Sequence, residues 1–124
     1  MENKGASFQS NYDIKNRTYA FSVSIVNFVS DLPKDNATHI ISNQLLASAT
    51  SVGANVIEAQ ASSSRKDFTN FLNHSLKSGN ETKYWLCLLR DTGRAEYPKV
   101  SKLINEVTEI NNILGKSIIT LRNK

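Results

Sequence analysis

Apolar residues recur at alternating spacings of three and four along four separate stretches of the chain, which restricts it to amphipathic helices that each bury one face. Ile14, Thr18, Phe21, Ile25, Phe28 and Leu32 make the first seam. Tyr19, Phe21, Val23 and Ile25 also alternate as a strand would, and three β-branched residues lie among Val23, Ile25 and Val26. Length decides for helix: the pattern runs from Tyr12 to Ser30, where a strand covers roughly six residues. Pro33 then ends the helix by driving the residue before it out of helical geometry. Asp35 or Asn36 can cap the next one.

The second helix is expected over Ala37 to Gln60, with its seam at Ile41, Leu45, Val52, Val56 and Ala59. Its other faces hold Ser42, Asn43, Gln44, Ser48, Thr50 and Ser51, with no Lys or Arg and with Glu58 as the single acid. A helix with one solvated side normally charges that side. This one is therefore expected to be covered on more than one side, either at the centre of the bundle or against another subunit; an exposed Ser- and Asn-rich face is the alternative. Ser64 followed by Asp67 has capping-box spacing and starts a third helix, whose seam is Phe68, Leu72, Ser75, Gly79, Thr82, Leu86 and Leu89. Gly79 in mid-helix costs about 1 kcal/mol relative to Ala and reads as a point of close packing; taken locally, Ser78-Gly79-Asn80 also reads as a turn. Gly93 suits a left-handed cap and Pro98 the first turn of a fourth helix. That helix has its seam at Val100, Leu103, Val107, Ile110, Leu114, Ile118 and Leu121 and runs to Arg122.

Four helices joined by short turns within 124 residues give an all-α fold, an antiparallel up-down-up-down four-helix bundle. Residues 12–124 are expected to form this single domain and residues 1–11 a disordered N-terminal tail. Leu, Ile, Val and Phe supply enough apolar surface for a core. One Cys cannot close an internal disulfide, the polar stretch from Met1 to Arg17 has no signal-peptide core, and no apolar run approaches the roughly 20 residues that span a bilayer. A cytoplasmic protein without membrane attachment is the expectation.

Chemistry-bearing patterns are sparse. His39 and His74 have no second His or Cys at ligand spacing, and no Glu-x-x-His pair occurs, so neither a metal nor another cofactor is expected. Cys87 reads as a small buried apolar residue. With no Gly-rich phosphate loop, no nucleophile elbow and no evident carboxylate pair, the chain does not read as an enzyme, and no catalytic residue is assigned. Two polar pairs stand out: Asn55 with Glu58, and Glu81 with Tyr84, each at i and i+3 and so each on one helix face. Together with Arg65 they are candidates for a structural or interface network, in preference to a ligand site.

The net charge is +4, and the surplus of base lies in the second half of the chain. Residues 61–95 carry six bases against three acids and residues 96–124 five against three. Scattered Lys and Arg ordinarily mean a solvated surface. If the surplus serves a partner, phosphate backbones are the match, and Arg65, Lys66, Lys77, Lys99 and Lys102 are the nucleic-acid-binding candidates.

Gln44 to Ala59, reading Q-L-L-A-S-A-T-S-V-G-A-N-V-I-E-A, and Ser64 to Leu72, reading S-R-K-D-F-T-N-F-L, resemble the small bacterial four-helix-bundle proteins encoded in intervening sequences of 23S ribosomal RNA genes. The family pattern is roughly Q-L-R-R-A-A-x-S-I-P-x-N-I-A-E-G, a short gap, then S-x-K-E-F-x-x-F-L. Glu81 and Tyr84 fall on its E-x-E-Y, and Glu109-Ile110 and Ile113-Leu114 fit its last helix, so the likeness covers about residues 12 to 122. Gly53 replaces the usual Pro, Ala59 the Gly, Leu46-Ala47 a pair of bases, and Lys83 the second acid of E-x-E-Y. The resemblance implies a homo-oligomeric ring, commonly a pentamer, with no known catalysis and a link to RNA. Relatives serve as accessory factors of diversity-generating retroelements, where a basic ring binds RNA and a reverse transcriptase. RNA and a reverse transcriptase are thus the partners the resemblance implies, beside further copies of the chain. An uncharged second helix points to self-association independently of any relative.

Overall fold

The computed structural model describes residues 13–123; the tail expected over residues 1–11 and the start of the first helix at Tyr12 lie outside them. Four helices follow in order: α1 Ile14–Ser30, α2 Asn36–Gln60, α3 Arg65–Asp91 and α4 Tyr97–Arg122. α3 runs unbroken through Gly79, so the local turn signal of Ser78-Gly79-Asn80 loses to the long-range seam.

The helix ends are built as their residues dictate. Asp35 accepts the Thr38 backbone N–H at the start of α2 and Ser64 accepts that of Asp67 at the start of α3, each occupying a donor that the first turn leaves without an intrahelical partner. Pro98 lies in the first turn of α4. Gly93 takes φ +70°, a left-handed geometry that glycine adopts without penalty. Its N–H reaches the Arg90 carbonyl and that of Arg94 the Leu89 carbonyl, the paired bonds of a Schellman ending.

The helices occupy the corners of a square. α2 packs on α1 and α3, and α4 packs on α3 and, more sparsely, on α1. Thr82 meets Ser48, Ser78 meets Ser51 and Ser75 meets the Val52 carbonyl, so position rises along α2 as it falls along α3 and the two run antiparallel. Phe21, Ile25, Leu45, Val52, Val56, Leu86, Leu89, Val107, Ile110 and Leu114 fill the interior. The fourth seam differs from expectation at Leu103 and at Leu121, which is also only partly buried. Ile104 is buried and Leu103 only partly so, because α1 and α4 stand apart there and Leu103 faces the gap between them.

Candidate functional site

α2 and α3 meet through hydroxyls. Ser75 donates to the Val52 carbonyl at 2.7 Å, Thr82 reaches Ser48 at 2.9 Å, and Ser78 donates to Ser51 at 3.1 Å. Asn55 extends this row, its amide donating to the Ser51 hydroxyl and carbonyl at 3.0 and 2.9 Å. Ser75 and Thr82 are fully buried. Small side chains let the two backbones approach, and each hydroxyl then needs a partner because water is excluded.

The five residues expected as one polar network occupy separate places in the chain. Asn55 bonds within α2. Glu81 accepts from the Trp85 indole at 3.1 Å. Tyr84 is 60 % exposed and stands edge-on to Trp85, ring centres 4.9 Å apart. Glu58 and Arg65 are exposed and have no side-chain hydrogen bond among the described residues. The spacing i, i+3 puts two residues on a common face without saying which way that face points, and here Glu58, Glu81 and Tyr84 all point outward. Glu58, Asn55, Glu81 and Tyr84 nonetheless share one side of the bundle, the flank where α2 adjoins α3.

Beyond the hydroxyl row that Asn55 joins through Ser51, the side-chain contacts that cross between elements involve other residues. On α1, Arg17 donates to Glu106 at 2.7 and 2.9 Å and to Glu109 at 2.6 Å, both on α4. These bonds, the Glu106 pair first and the Glu109 pair second, push the guanidinium pKa up against a smaller opposing effect of burial. Arg94, in the loop before α4, donates to the buried Thr38 hydroxyl at 3.0 Å and lies 3.7 Å from Asp35. No local spacing signals either contact, since Arg17 and Glu106 are 89 positions apart.

The five cationic candidates do not converge. Arg65 and Lys66 open α3, Lys77 lies midway along it, and Lys99 and Lys102 occupy the first turns of α4. Since α3 rises about 1.5 Å per residue, its two ends are on the order of 40 Å apart. All five are exposed. Lys99 and Lys102 border an open groove of about 650 Å³ between α1 and α4, floored by Phe21, Phe28 and Leu103 and closed off towards Arg17 by Glu106. Lys99 also pairs at 3.7 Å with Glu96.

One surface is unusual for its lack of charge. The outward side of α2 presents Ile40, Asn43, Ala47, Thr50, Ala54 and Ile57, all exposed, with Ile40 at 54 % and Ile57 at 48 %. The bundle covers α2 from α1 and α3 only. Among the described residues no cluster of three His, Cys, Asp or Glu side chains is placed to hold a metal ion, and no helix is long and apolar enough to cross a membrane.

The family profile described as 23S rRNA-intervening sequence protein matches residues 10–116. Among solved structures, the chain is similar to a protein of unknown function from the S23 ribosomal protein family of Bacteroides thetaiotaomicron VPI-5482. The two are 40% identical with a TM-score of 0.81, over 87% of this chain and 96% of that one. No protein with a curated description matches.

Proposed function

The chain belongs to the 23S rRNA-intervening sequence protein family, and on that premise we propose that it acts without catalysis, as a self-assembling helical protein that holds structured RNA. Its subunits close into a ring, a pentamer by family resemblance. The outer face of α2 carries this reading. Ile40, Ala47, Thr50, Ala54 and Ile57 form a continuous uncharged strip that the protomer leaves open, and such strips on helical proteins mark contact with protein. RNA then belongs on the other side of the molecule, where α3 and α4 carry the surplus cations. Repetition around a ring turns the separate pairs Arg65/Lys66 and Lys99/Lys102 into two belts of positive charge, suited to phosphate contacts that are largely indifferent to base sequence.

The test is the affinity of the protein for a structured RNA across a salt series, beside the Lys99→Ala/Lys102→Ala variant. Binding that falls steeply with salt, and further in the variant, is the expected result. Absence of binding even at low salt would favour a second reading, in which the partner is a protein such as a reverse transcriptase that the chain assists. Leu46 and Ala47 in place of the family's two bases, together with the exposed ring of Tyr84, support that alternative. Co-purification of such an enzyme with the tagged chain tests it.

A further inference from the structure

The open seam between α1 and α4 has a register that its clamp reveals. Arg17 bonds to Glu106 and Glu109, while Phe28 and Asp31, at the other end of α1, border the same cavities as Lys99 and Glu96, so position rises along α1 as it falls along α4. Ser24 lies seven residues beyond Arg17, and Lys99 and Lys102 lie seven before Glu106 and Glu109. Equal rise along the two helices therefore sets Ser24 abreast of the stretch from Lys99 to Lys102, and Phe21 abreast of Leu103. The floor at this level is apolar, made by Phe21, Leu103 and Phe28, whereas the rim is polar on both sides, with Ser24 and Asn27 on α1 and the two lysines on α4. Ser24, Asn27 and Lys102 make no side-chain hydrogen bond among the described residues. Lys99 has Glu96 at 3.7 Å, in an exposed pair.

We propose that this groove binds a small amphipathic monocarboxylate. Its carboxylate accepts from the Lys99 and Lys102 ammonium groups on one side and from Ser24 and Asn27 on the other, and its apolar body lies on Phe21 and Leu103, running toward the Arg17 clamp. The distance from Ser24 back to Arg17 is about 10 Å at 1.5 Å per residue, which suits a chain of about eight carbons. Two cations facing two neutral donors above an apolar floor select an anionic head on an apolar body. The volume of about 650 Å³ falls in the range of roughly 300–1,000 Å³ usual for small-molecule sites, which in bundles form between helices. Nearby acids do not oppose the head. Glu106 and Glu109 are both bonded to Arg17, and Asp31 is a further seven residues along α1 from Ser24, again about 10 Å. A phosphate backbone would engage the lysines and leave the floor unused, so this site is separate from the RNA and assembly readings. A ligand there bridges the two helices that touch most sparsely, and its binding fastens α1 to α4.

The test is calorimetric titration of the chain with octanoate, beside octylammonium, which has the same body and the opposite charge. Expected are one octanoate per chain with half-saturation at about 0.1–1 mM, no saturable binding of octylammonium, and slower deuterium exchange in residues 20–31 and 99–109 when octanoate is present. Lys102→Met should weaken octanoate about tenfold by removing one charge-assisted bond. Ser24→Trp fills the groove from an exposed position and should abolish octanoate binding while leaving affinity for a structured RNA unchanged, with helical circular dichroism reporting the fold. Asn27→Trp takes its place should that variant melt early. No saturable binding of octanoate in that range, equal binding of octylammonium, exchange slowed only outside α1 and α4, or undiminished binding in the groove-filling variant would each overturn the site. A chain that binds octanoate as expected but no RNA supports the site and counts against the RNA reading alone.

Discussion

Asn111 on α4 lies against the bare α-carbon of Gly79 on α3, with its side-chain oxygen in the space that a Cβ at Gly79 would need. That oxygen is buried and has no hydrogen-bond partner, while the amide nitrogen of the same side chain donates to Asn80 at 3.3 Å. Facing the glycine, the oxygen is placed for a weak contact with the α-carbon hydrogen, a type that recurs where helices approach closely.

Gly79→Ala alone should lower stability by about 1 kcal/mol, because overpacking costs about 1–3 kcal/mol and outweighs the helix propensity gain of roughly 1 kcal/mol. In an Asn111→Ala background the obstruction is gone, and the same substitution should stabilise by up to about 1 kcal/mol. Urea unfolding of the four proteins in this cycle checks the reversal of sign.

Arg17→Ala removes the side-chain clamp that, among the described residues, joins α1 to α4, leaving Glu106 and Glu109 near each other without their cation. A loss of about 1 kcal/mol is expected for a partly exposed charged cluster. Salt screens such pairs, so the gap between wild type and variant should narrow as ionic strength rises, measured by thermal melts from low to high salt.

Ser75 donates to the Val52 carbonyl from a fully buried position. Ser75→Ala should cost about 1 kcal/mol, the net value of a neutral hydrogen bond, because the carbonyl keeps its helical partner. Ser75→Leu forces extra volume between α2 and α3 and should cost up to about 3 kcal/mol. Denaturant titration of both separates the effect of the bond from that of the space.

The Asp35 carboxylate accepts the Thr38 backbone N–H and then its hydroxyl, and these bonds, with Arg94 nearby, hold its pKa below the ordinary carboxylate value. A depressed folded-state pKa contributes stability that is complete above the unfolded value, about 3.9, and is lost as pH falls through the folded one. Asp35→Ala should therefore melt below wild type at pH 7, and the difference should close under acid. Asp35→Asn keeps the cap without the titration, so as pH falls through the same range its melting temperature should rise relative to that of wild type.

Helix positions were legible from the chain because seam spacing and caps are local. Ser64 to Asp67, Gly93 and Pro98 each mark a boundary with residues no more than a few places apart, and the α2 start moved by only one position, to Asn36. Ser75 and Thr82 already stood on the third seam, but the partners of their hydroxyls on α2 are set by packing that spacing does not show. Leu103 could not be told from Ile104, since neighbouring residues differ only in which side of α4 they face, and that depends on how far α1 stands off. Arg17, Glu106 and Glu109 gave no signal because their meeting is a product of topology. Asn55 with Glu58, and Glu81 with Tyr84, were paired by spacing, and periodicity alone does not say whether such a face looks inward or out.

The square is not equally firm along its four edges. α3 is held to α2 by buried hydroxyls and to α4 where Asn111 lies against Gly79, whereas α1 meets α4 sparsely across a groove, bridged among the described residues by the Arg17, Glu106 and Glu109 cluster. Local opening follows the least-packed seam, so the amides of α1 should exchange with deuterium ahead of those in the other three helices, with the bend at residues 31–35 acting as the pivot. The first helix thereby becomes the compliant member of an otherwise rigid frame.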